Sequence, residues 1–360
     1  MTPRKKILVV ISSLRRGGAE RVVSRLTQAW AQEHRVTVVV FNAEGRAYLH
    51  GGTLVDLDVP SRGGLLRKML AATRRIFQLR RLMARVEPDF VFGFMESANL
   101  SLVVASSFTP WRRRLTVSVH NDPSRMHSLH RLGAFLLYRC AARVVAVSQG
   151  VGERLSRKIL LAPSRITVIY NPVALKEVES VTAFLSPPVP GPYFFAAGRL
   201  APQKDFARML RLFAMLPPDG TRLIIAGDGP ERASLHALAA TAGLSGRVVF
   251  LGNVENPFVY MQHAIAFLMT SRYEGFPMAL IEALACGCPV LAMDCDFGPR
   301  EAVRDGQDGF IVSPQDESAF VSKLSLLASD RTLRDKLGAS AVRRARDFDT
   351  TSIASQWLSV

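Results

Sequence analysis

Both halves of the chain alternate short, β-branched apolar runs with longer amphipathic stretches, and this alternation constrains the fold more than any single motif. Parallel strands covered by helices on both faces require such a pattern, because each strand is buried on two sides and each crossover is a helix. In the first half we predict a helix at about 19–32 and strands at Lys6–Ile11, Val36–Phe41, Asp89–Phe92, Leu115–Val119, Val144–Val147 and Ile166–Tyr170. In the second half we predict strands at Tyr193–Ala197, Arg222–Ala226, Val248–Leu251, Ile265–Met269, Val290–Ala292 and Phe310–Val312. The predicted fold class is therefore α/β, with two Rossmann-like, doubly wound halves.

A proline-rich segment separates the two halves. The run Ser186–Pro192 holds four prolines, which fit neither a helix interior nor a central strand because proline lacks the amide hydrogen. We predict a first domain over 1–172, a linker over 173–192 and a second domain over 193–345. Doubly wound sheets bind ligands outside the carboxyl ends of their strands, so two such domains predict a cleft between those ends.

Charge is distributed unevenly between the halves. Residues 1–172 carry 28 Lys and Arg against 10 Asp and Glu, a net charge of +18, and the remaining residues carry a net charge of −2. A basic half attracts an anionic surface, either nucleic acid or the anionic leaflet of a membrane. The basic regions match no recognisable RNA-binding module, so we expect no nucleic-acid partner. No apolar run is long enough to span a bilayer, and the basic N-terminus has too short an apolar core for a secretory signal.

The segment between Leu65 and Val86 concentrates this positive charge. As a helix it is basic and amphipathic, the type that lies on a bilayer surface. The alternative is a solvated helix that packs its apolar stripe on its own domain. The candidate membrane or acceptor residues in this segment are Arg67, Lys68, Arg74, Arg75, Arg80 and Arg81. The run Arg112–Arg114 adds a second basic cluster.

Two carboxylates stand eight positions apart in the second half. Glu274 is in a loop, whereas Glu282 lies within the apolar run Met278–Cys286. A helix that is apolar on all sides is buried, and a carboxylate within it requires a partner. That partner is either a basic side chain elsewhere in the core or a polyol ligand such as a sugar or a ribose. The spacing alone leaves both alternatives open.

Glycines and cations follow the first strand of each half. Gly17 and Gly18 lie between a strand and a helix, where backbone N–H groups can face an anion, although such turns are common in this fold class. In the second half Arg199 and Lys204 follow the first strand and are expected at the carboxyl edge of the sheet. There they can pair with a diphosphate, or they are ordinary surface cations.

The order of the motifs along the chain identifies a family resemblance. The motifs are Gly17-Gly18-Ala19-Glu20, His120, Gly198-Arg199-Leu200 with Lys204, Gly227-Asp228-Gly229-Pro230, Leu251-Gly252-Asn253-Val254, Glu274 with Glu282, and Gly287-Cys288-Pro289-Val290. Together they closely resemble the retaining, nucleotide-sugar-dependent glycosyltransferases of family 4, also called glycosyltransferase group 1, which have the GT-B fold. The resemblance covers essentially the whole chain. It also implies that residues 346–360 form a terminal helix that returns to the first domain.

The resemblance implies a role for each matching residue. Arg199 and Lys204 would bind the donor diphosphate and stabilise the leaving group, Glu274 would hold hydroxyls of the transferred sugar, and Glu282 would accept hydrogen bonds from the ribose. His120 would approach the donor sugar from the first domain. The remaining donor-binding residues implied are Gly17, Gly18, Asn253, Val254, Gly275, Phe276, Met278 and Ala279.

The implied reaction is glycosyl transfer with retention of configuration, and neither a metal nor another cofactor is expected. Arg199 and Lys204 would supply the positive charge that a metal supplies in other glycosyltransferases. Asp294 and Asp296 resemble a metal-binding Asp-x-Asp motif but occupy an ordinary loop of this family. The four cysteines (Cys140, Cys286, Cys288 and Cys295) are expected to be free thiols in a reducing cytoplasm, without a zinc site.

The acceptor is inferred from the basic half. Segments 95–99, 118–123 and 296–301 resemble bacterial members that extend polyprenyl-diphosphate-linked oligosaccharides. We therefore expect a peripheral enzyme on the cytoplasmic face of the inner membrane that uses a nucleotide-sugar, with UDP favoured over GDP. Two alternatives remain: the same fold with a soluble sugar acceptor, and a non-catalytic protein that binds sugar-nucleotides or a membrane surface.

Overall fold

The computed structural model describes residues 3–59, 64–182 and 189–360. The chain divides into two compact units, of which the first comprises Met1–Pro172 with Thr350–Val360 and the second comprises Val173–Asp349. Each unit contains its own parallel sheet and its own apolar core.

The first unit is built on a seven-stranded parallel sheet in the order β3-β2-β1-β4-β5-β6-β7. Its strands are β1 (Lys6–Ile11), β2 (Arg35–Val40), β3 (Thr53–Asp56), β4 (Phe90–Phe94), β5 (Leu115–Val119), β6 (Arg143–Ala146) and β7 (Ile166–Val168). The helices between them are α1 (Gly18–Ala31), α2 (Leu65–Val86), α3 (Glu96–Ser106), α4 (Ser128–Leu137) and α5 (Gln149–Ile159). Short 3₁₀ turns precede β5, over Pro110–Arg114, and β7, over Pro163–Arg165.

The second unit contains a six-stranded parallel sheet in the order β10-β9-β8-β11-β12-β13. Its strands are β8 (Tyr193–Ala197), β9 (Arg222–Ala226), β10 (Val248–Gly252), β11 (Phe267–Met269), β12 (Val290–Met293) and β13 (Gly309–Val312). Its helices are α6 (Leu175–Thr182), α7 (Phe206–Ala214), α8 (Arg232–Thr241), α9 (Phe258–His263), α10 (Met278–Ala285), α11 (Pro299–Ala302), α12 (Glu317–Ser329) and α13 (Arg331–Ala345).

The C-terminal helix α14 (Thr350–Leu358) belongs to the first unit. Its Trp357 is 1% exposed and packs on Phe92 and Phe94, with ring centroids 5.3 and 5.1 Å apart. The indole N–H of Trp30 in α1 donates to the carbonyl of Ala354 at 3.0 Å. Burial of a large aromatic surface holds this last helix on the first sheet, although more than 170 residues separate it from the rest of that unit.

The predicted α/β class is confirmed, and each predicted strand is present with its ends shifted by at most two residues. One strand was missed: β3 is a short edge strand whose residues Thr53 and Asp56 are exposed. It lacks the continuous apolar run that identifies a strand buried on both faces.

The predicted linker differs from the structure. Residues 175–182 within it form α6, a helix of the second unit. The Pro-rich segment 186–192 falls partly outside the described residues, which resume at Val189. Phe348, assigned by resemblance to the terminal segment, lies in the second unit, where its ring is 5.3 Å from that of Phe276. Among the described helices, none combines the length and hydrophobicity needed to cross a bilayer.

Candidate active site

The loops that follow β8 and β9 interlock at the carboxyl edge of the second sheet. The N–H of Gly198 donates to the carbonyl of Ala226, and the N–H of Leu200 donates to that of Asp228, both at 3.0 Å. Gly227 has a φ of +135°, and a β-carbon there would lie 1.9 Å from the carbonyl oxygen of Gly198. Only glycine permits this approach, so the glycine motifs bring two strand ends together and present the residues between them at the edge.

Lys204 and Glu274 meet at this edge. The Nζ of Lys204 donates to Oε1 of Glu274 at 2.6 Å, although 70 positions separate the two residues. The Glu274 side chain is 7% exposed and that of Lys204 is 25% exposed. A charge-assisted hydrogen bond of this length satisfies a nearly buried carboxylate. The ammonium group keeps two further N–H donors for another oxygen ligand.

A set of bonds between two loops fixes this pair. Arg272 Nε donates to the carboxylate of Asp205 at 2.9 Å, and Thr270 Oγ1 donates to the carbonyl of Asp205 at the same distance. Gln203 Nε2 donates to the carbonyl of Tyr273 at 3.0 Å. Asp205 also caps the N-terminus of α7, in a left-handed conformation with φ of 48°. These contacts flank Lys204 and directly precede Glu274 in sequence, so they restrict how far the two side chains can separate.

Arg199 follows the same strand as Lys204. Its side chain is exposed, and among the described residues it forms no hydrogen bond or ion pair. Asn253, also exposed, and Val254 follow β10 at this edge of the sheet, after Gly252 with its φ of +68°. Besides the Lys204–Glu274 pair, this edge therefore offers the guanidinium of Arg199, which has no carboxylate partner within the described residues.

The buried helix α10 starts in the same region. Glu282 is 1% exposed, which confirms that the apolar run around it forms a buried helix. The first N–H groups of a helix have no acceptor within the helix, and here they belong to Met278 and Ala279. Gly275 and Phe276 lie in the buried loop that leads into the helix. This geometry suits an anion at the helix N-terminus.

The loops after β12 and β13 add an open cavity of about 380 Å³ to the same edge. A β-carbon on Gly298 would lie 2.6 Å from the ring of Pro277, so this loop packs closely on the approach to α10. Asp294 accepts a hydrogen bond from Arg300 at 2.5 Å. Burial and the neighbouring Glu274 carboxylate raise the pKa of the Cys295 thiol to about 12, so this cysteine is a neutral lining residue.

His120 lies in the first unit, directly after β5. It is 8% exposed, and burial lowers its pKa to about 4, so the imidazole is neutral at physiological pH. Its Nε2 lies 3.0 Å from Oγ of Ser118, and the same hydroxyl donates to the carbonyl of Gly93 at 2.9 Å. A hydroxyl has one hydrogen, so Nε2 donates to Ser118 and Nδ1 retains a lone pair. His120 can therefore accept a hydrogen bond from a ligand hydroxyl.

Gly17 and Gly18 follow β1 in the first unit and begin α1. A β-carbon on Gly17 would lie 2.1 Å from a carboxylate oxygen of Glu20, which folds back over the turn. Burial raises the pKa of Glu20 above its usual value. An acidic side chain thus lies beside the turn, and neutralising it would favour an anionic ligand there.

The basic helix α2 exposes most of its candidate membrane residues, with one exception. The exposed cations are Arg67, Lys68, Arg74, Arg80 and Arg81, and Met69, Leu70 and Phe77 beside them are 60, 62 and 55% exposed. Arg75 is only 4% exposed, so assigning it to a membrane surface is wrong. Its Nε donates to the carbonyl of Val59 at 3.1 Å, and its guanidinium lies 4.6 Å from the centre of the Phe41 ring.

Comparison with protein families accounts for nearly the whole chain. Residues 16–177 match the model described as Glycosyltransferase Family 4, and residues 182–344 match the model described as Glycosyl transferases group 1. The chain belongs to glycosyltransferase family 4. The two family models divide the chain between the two units, and the interlocked loops, Lys204 and Glu274 lie in the group 1 part.

Relatives within the family are similar along their full length. The N-acetylgalactosamine-N,N'-diacetylbacillosaminyl-diphospho-undecaprenol 4-alpha-N-acetylgalactosaminyltransferase of Campylobacter jejuni is 28% identical over 97% of both chains. The amylovoran biosynthesis glycosyltransferase AmsD of Erwinia amylovora is 26% identical over 98% of both.

Solved structures confirm the GT-B fold. Anabaena HepE in complex with UDP and glucose superposes with a TM-score of 0.82 at 21% identity, covering 99% of both chains. A sucrose-phosphate synthase from Thermosynechococcus elongatus superposes with a TM-score of 0.83 at 18% identity, covering 99% of this chain and 98% of that one. This family 4 glycosyltransferase therefore shares one architecture with both of these proteins.

Several residues that organise the site were missed in the sequence. Asp205, Arg272 and Gln203 hold the loops around Lys204 and Glu274, and Ser118 orients His120. Asp205 had a recognisable signal, because aspartate directly before an amphipathic helical pattern is a common N-cap. The contacts of Arg272 and Gln203 join residues distant in sequence and follow only from the sheet order. Ser118 lies only two residues before His120, but its contact depends on the orientation of both side chains.

Proposed function

We propose that this family 4 glycosyltransferase transfers a hexose or N-acetylhexosamine from a UDP-sugar to a polyprenyl-diphosphate-linked sugar acceptor, with retention of configuration and without a metal. The names of the full-length relatives support the acceptor class, since the Campylobacter jejuni enzyme is named for a diphospho-undecaprenol substrate. The HepE structures in complex with UDP and glucose and with UDP-glucose support the choice of nucleotide.

The observation that carries the proposal is the Lys204–Glu274 pair on its braced loops. Lys204 would use its two remaining N–H groups on the donor diphosphate, and the exposed Arg199 would add a planar fork. As the sugar–phosphate bond breaks, negative charge grows on the leaving diphosphate. Two preplaced cations stabilise that charge, and such electrostatic stabilisation contributes strongly to catalysis.

The two carboxylates would have separate roles. Glu274, at the sheet edge beside Lys204, would accept hydrogen bonds from hydroxyls of the transferred sugar. Glu282, 1% exposed in α10, would accept from the ribose, while the first N–H groups of that helix face phosphate or sugar oxygens. His120, neutral and with a free Nδ1 lone pair, would accept from another sugar hydroxyl.

Retention without a protein nucleophile fits this assignment. Glu274 is engaged by Lys204 and is assigned to sugar binding, so departure of the diphosphate with attack on the same face is the proposed course. The leaving phosphate itself would remove the proton of the acceptor hydroxyl. Metal independence rests on Arg199 and Lys204, and on the pairing of Asp294 with Arg300 in the loop that resembles a metal motif.

Helix α2 supports a peripheral position on the cytoplasmic face of the inner membrane. Its exposed cations alternate with the exposed side chains of Met69, Leu70 and Phe77. A solvated helix that buried its whole apolar stripe would not expose these three. Basic side chains interleaved with exposed apolar ones suit an anionic lipid surface, where a lipid-linked acceptor would be found.

A donor and acceptor screen tests the proposal. UDP- and GDP-sugars are incubated with polyprenyl-diphosphate-linked sugars in detergent, with and without EDTA, and the product is identified by mass spectrometry. We expect transfer from a UDP-sugar that survives EDTA. Transfer only to water-soluble sugars would favour the soluble-acceptor alternative, and loss of transfer in EDTA that added Mg²⁺ or Mn²⁺ restores would contradict metal independence.

A further inference from the structure

An arginine-lined cavity opens at the amino-terminal edge of the first sheet, opposite the edge that carries His120. Its volume is about 970 Å³. Arg112, Arg113 and Arg114 come from the 3₁₀ turn before β5, and Arg165 from the turn before β7. Because all four residues precede strands, the cavity is separate from the candidate active site at the carboxyl ends.

Backbone carbonyls hold three of the four guanidinium groups. Arg112 donates to Cys140 at 3.0 Å, Arg114 donates to Pro88 at 2.8 Å, and Arg165 donates to Ala141 at 3.1 Å. Each guanidinium has five N–H groups, so most of them remain available to a ligand.

The positive charge of the cavity is not balanced within the described part of the chain. There Arg113 makes no hydrogen bond or ion pair, and none of the four arginines lies within ion-pair distance of a carboxylate. Four like charges around one cavity repel each other, and a bound anion relieves that repulsion.

Phe108 stands at the rim of the cavity in an unusual state. Its side chain is 98% exposed and its φ is +59°, a left-handed conformation that is uncommon for a bulky aromatic residue. Neither exposure nor this backbone conformation is favourable for a phenylalanine in water. An exposed aromatic residue beside cations is typical of a segment that enters the interfacial region of a bilayer.

We propose that this cavity binds the phosphate headgroup of an anionic phospholipid, with Phe108 inserted among the neighbouring acyl chains. The inference rests on the proposed peripheral membrane position and adds a second, independent contact to α2. Arg114 bonds to Pro88, two residues after α2 ends at Val86, so the cavity lies beside the C-terminal end of that helix. A soluble polyanion would satisfy the arginines but would make no use of Phe108.

Vesicle flotation tests this site on the full chain. Phosphatidylcholine vesicles with and without phosphatidylglycerol are compared for wild type, Arg113→Glu and Phe108→Gly. The matched controls lie in the second unit. They are Arg343→Glu, at an exposed arginine whose side chain makes no ion pair within the described part of the chain, and Met215→Gly, at a 62% exposed side chain. Each charge removed near an anionic surface weakens binding about fivefold. We therefore expect Arg113→Glu to lose at least about fivefold in partitioning to phosphatidylglycerol vesicles. Phe108→Gly should lose at least about fivefold as well, because it removes apolar surface that would be buried among acyl chains. The unfolding midpoint of both should be unchanged, and both controls should stay within about twofold of wild type.

Other outcomes would overturn the inference in distinguishable ways. If Arg74→Gln in α2 weakens vesicle binding while Arg113→Glu and Phe108→Gly do not, the lipid site is wrong and the proposed membrane position stands. If wild type does not prefer phosphatidylglycerol vesicles, both membrane proposals fail, while sugar transfer is tested separately by product formation. If Arg113→Glu weakens binding of inorganic polyphosphate but leaves vesicle binding intact, the cavity is a site for soluble polyanions and not for lipid.

Discussion

Lys204 and Glu274 form a hydrogen-bonded ion pair that stabilises the fold, and both residues are also proposed to bind the donor. Glu274 is 6% exposed and would be an unpaired buried carboxylate without the ammonium group of Lys204. Lys204 is more exposed and can be rehydrated if Glu274 is removed. The two partners therefore differ in their effect on stability, although both are assigned to donor binding.

Alanine at either position should reduce turnover at least about a hundredfold, because each removes an interaction with the donor that strengthens as charge develops. Lys204→Ala should also lower the free energy of unfolding by about 2 kcal/mol by leaving Glu274 unpaired, and Glu274→Ala should lower it less. Initial rates and thermal unfolding measure both effects. Glu317→Ala, which removes the exposed ion pair with Arg208 at 2.9 Å, is the matched control and should leave turnover unchanged. Near-wild-type turnover in either test variant would contradict the assignment.

The buried imidazole of His120 makes stability depend on pH. Burial lowers its folded-state pKa from 6.5 to about 4, so the unfolded chain binds the proton first as the pH falls. The stability contributed by the neutral form is complete above pH 6.5 and is lost between pH 6.5 and 4. The loss should reach about 3 kcal/mol. Denaturant unfolding at pH 7 and pH 5 should show a smaller decrease for His120→Gln than for wild type. Equal decreases would show that His120 does not carry the effect.

At the scale of elements, turns between strands and helices place the site residues. Gly227 and Gly198 allow the ends of β9 and β8 to approach each other, and Asp205 caps the N-terminus of α7. The glycine motifs were visible in the sequence because such turns have few alternatives. The bonds from Arg272 and Thr270 to Asp205 were not, because they join loops that meet only once β8 and β11 pair.

Gly227→Ala should disrupt the interlocked loops. Its β-carbon would lie 1.9 Å from the Gly198 carbonyl oxygen, at a φ of +135°. Overpacking of this kind should cost about 3 kcal/mol of stability and weaken UDP binding, measured by thermal unfolding and calorimetry. Gly246→Ala, at a φ of +80° with no atom within 4 Å of the new β-carbon, is the matched control. It should cost only about 1 kcal/mol and leave UDP binding unchanged. Equal effects would mean that backbone conformation, and not the close approach, explains the loss.

Two neighbouring arginines of α2 differ in burial, so substituting each of them distinguishes the proposed membrane contact from packing. Arg74 is exposed, whereas Arg75 is buried and bonded to Val59. The sequence could not distinguish them, because both fit a basic amphipathic pattern and Arg75 reaches inward along its aliphatic stem. Arg74→Gln should weaken binding to phosphatidylglycerol vesicles about fivefold without changing stability. Arg75→Gln should lower stability by about 2 kcal/mol. Flotation and thermal unfolding measure the two effects, and the reverse pattern would contradict this orientation of α2.

At the scale of the whole molecule, the sequence predicted more of the architecture than of the side-chain contacts. Strands buried on both faces show as continuous apolar runs, so twelve of them could be placed within two residues. The edge strand β3 and the helix α6 were missed because a short, half-exposed element has no such pattern. Pairing of Lys204 with Glu274 depends on the sheet order, which residue spacing alone does not specify.

Positive charge is concentrated in the first half of the molecule. The net charge of +18 lies on residues 1–172, whose helix α2 and arginine-lined cavity both expose cations beside apolar side chains. The donor-binding residues proposed in the second unit lie in a half of the chain whose net charge is −2. Membrane affinity and donor affinity should therefore respond to different substitutions, and salt should weaken membrane binding most.

The configuration of the product tests the central claim most directly. The purified chain is incubated with an α-linked UDP-N-acetylhexosamine or UDP-hexose and a polyprenyl-diphosphate-linked sugar, and the new glycosidic bond is assigned by NMR from its anomeric coupling constant. The proposed mechanism predicts an α-linked sugar on the lipid-linked acceptor. A β-linked product would contradict retention and the roles assigned to Lys204 and Glu274.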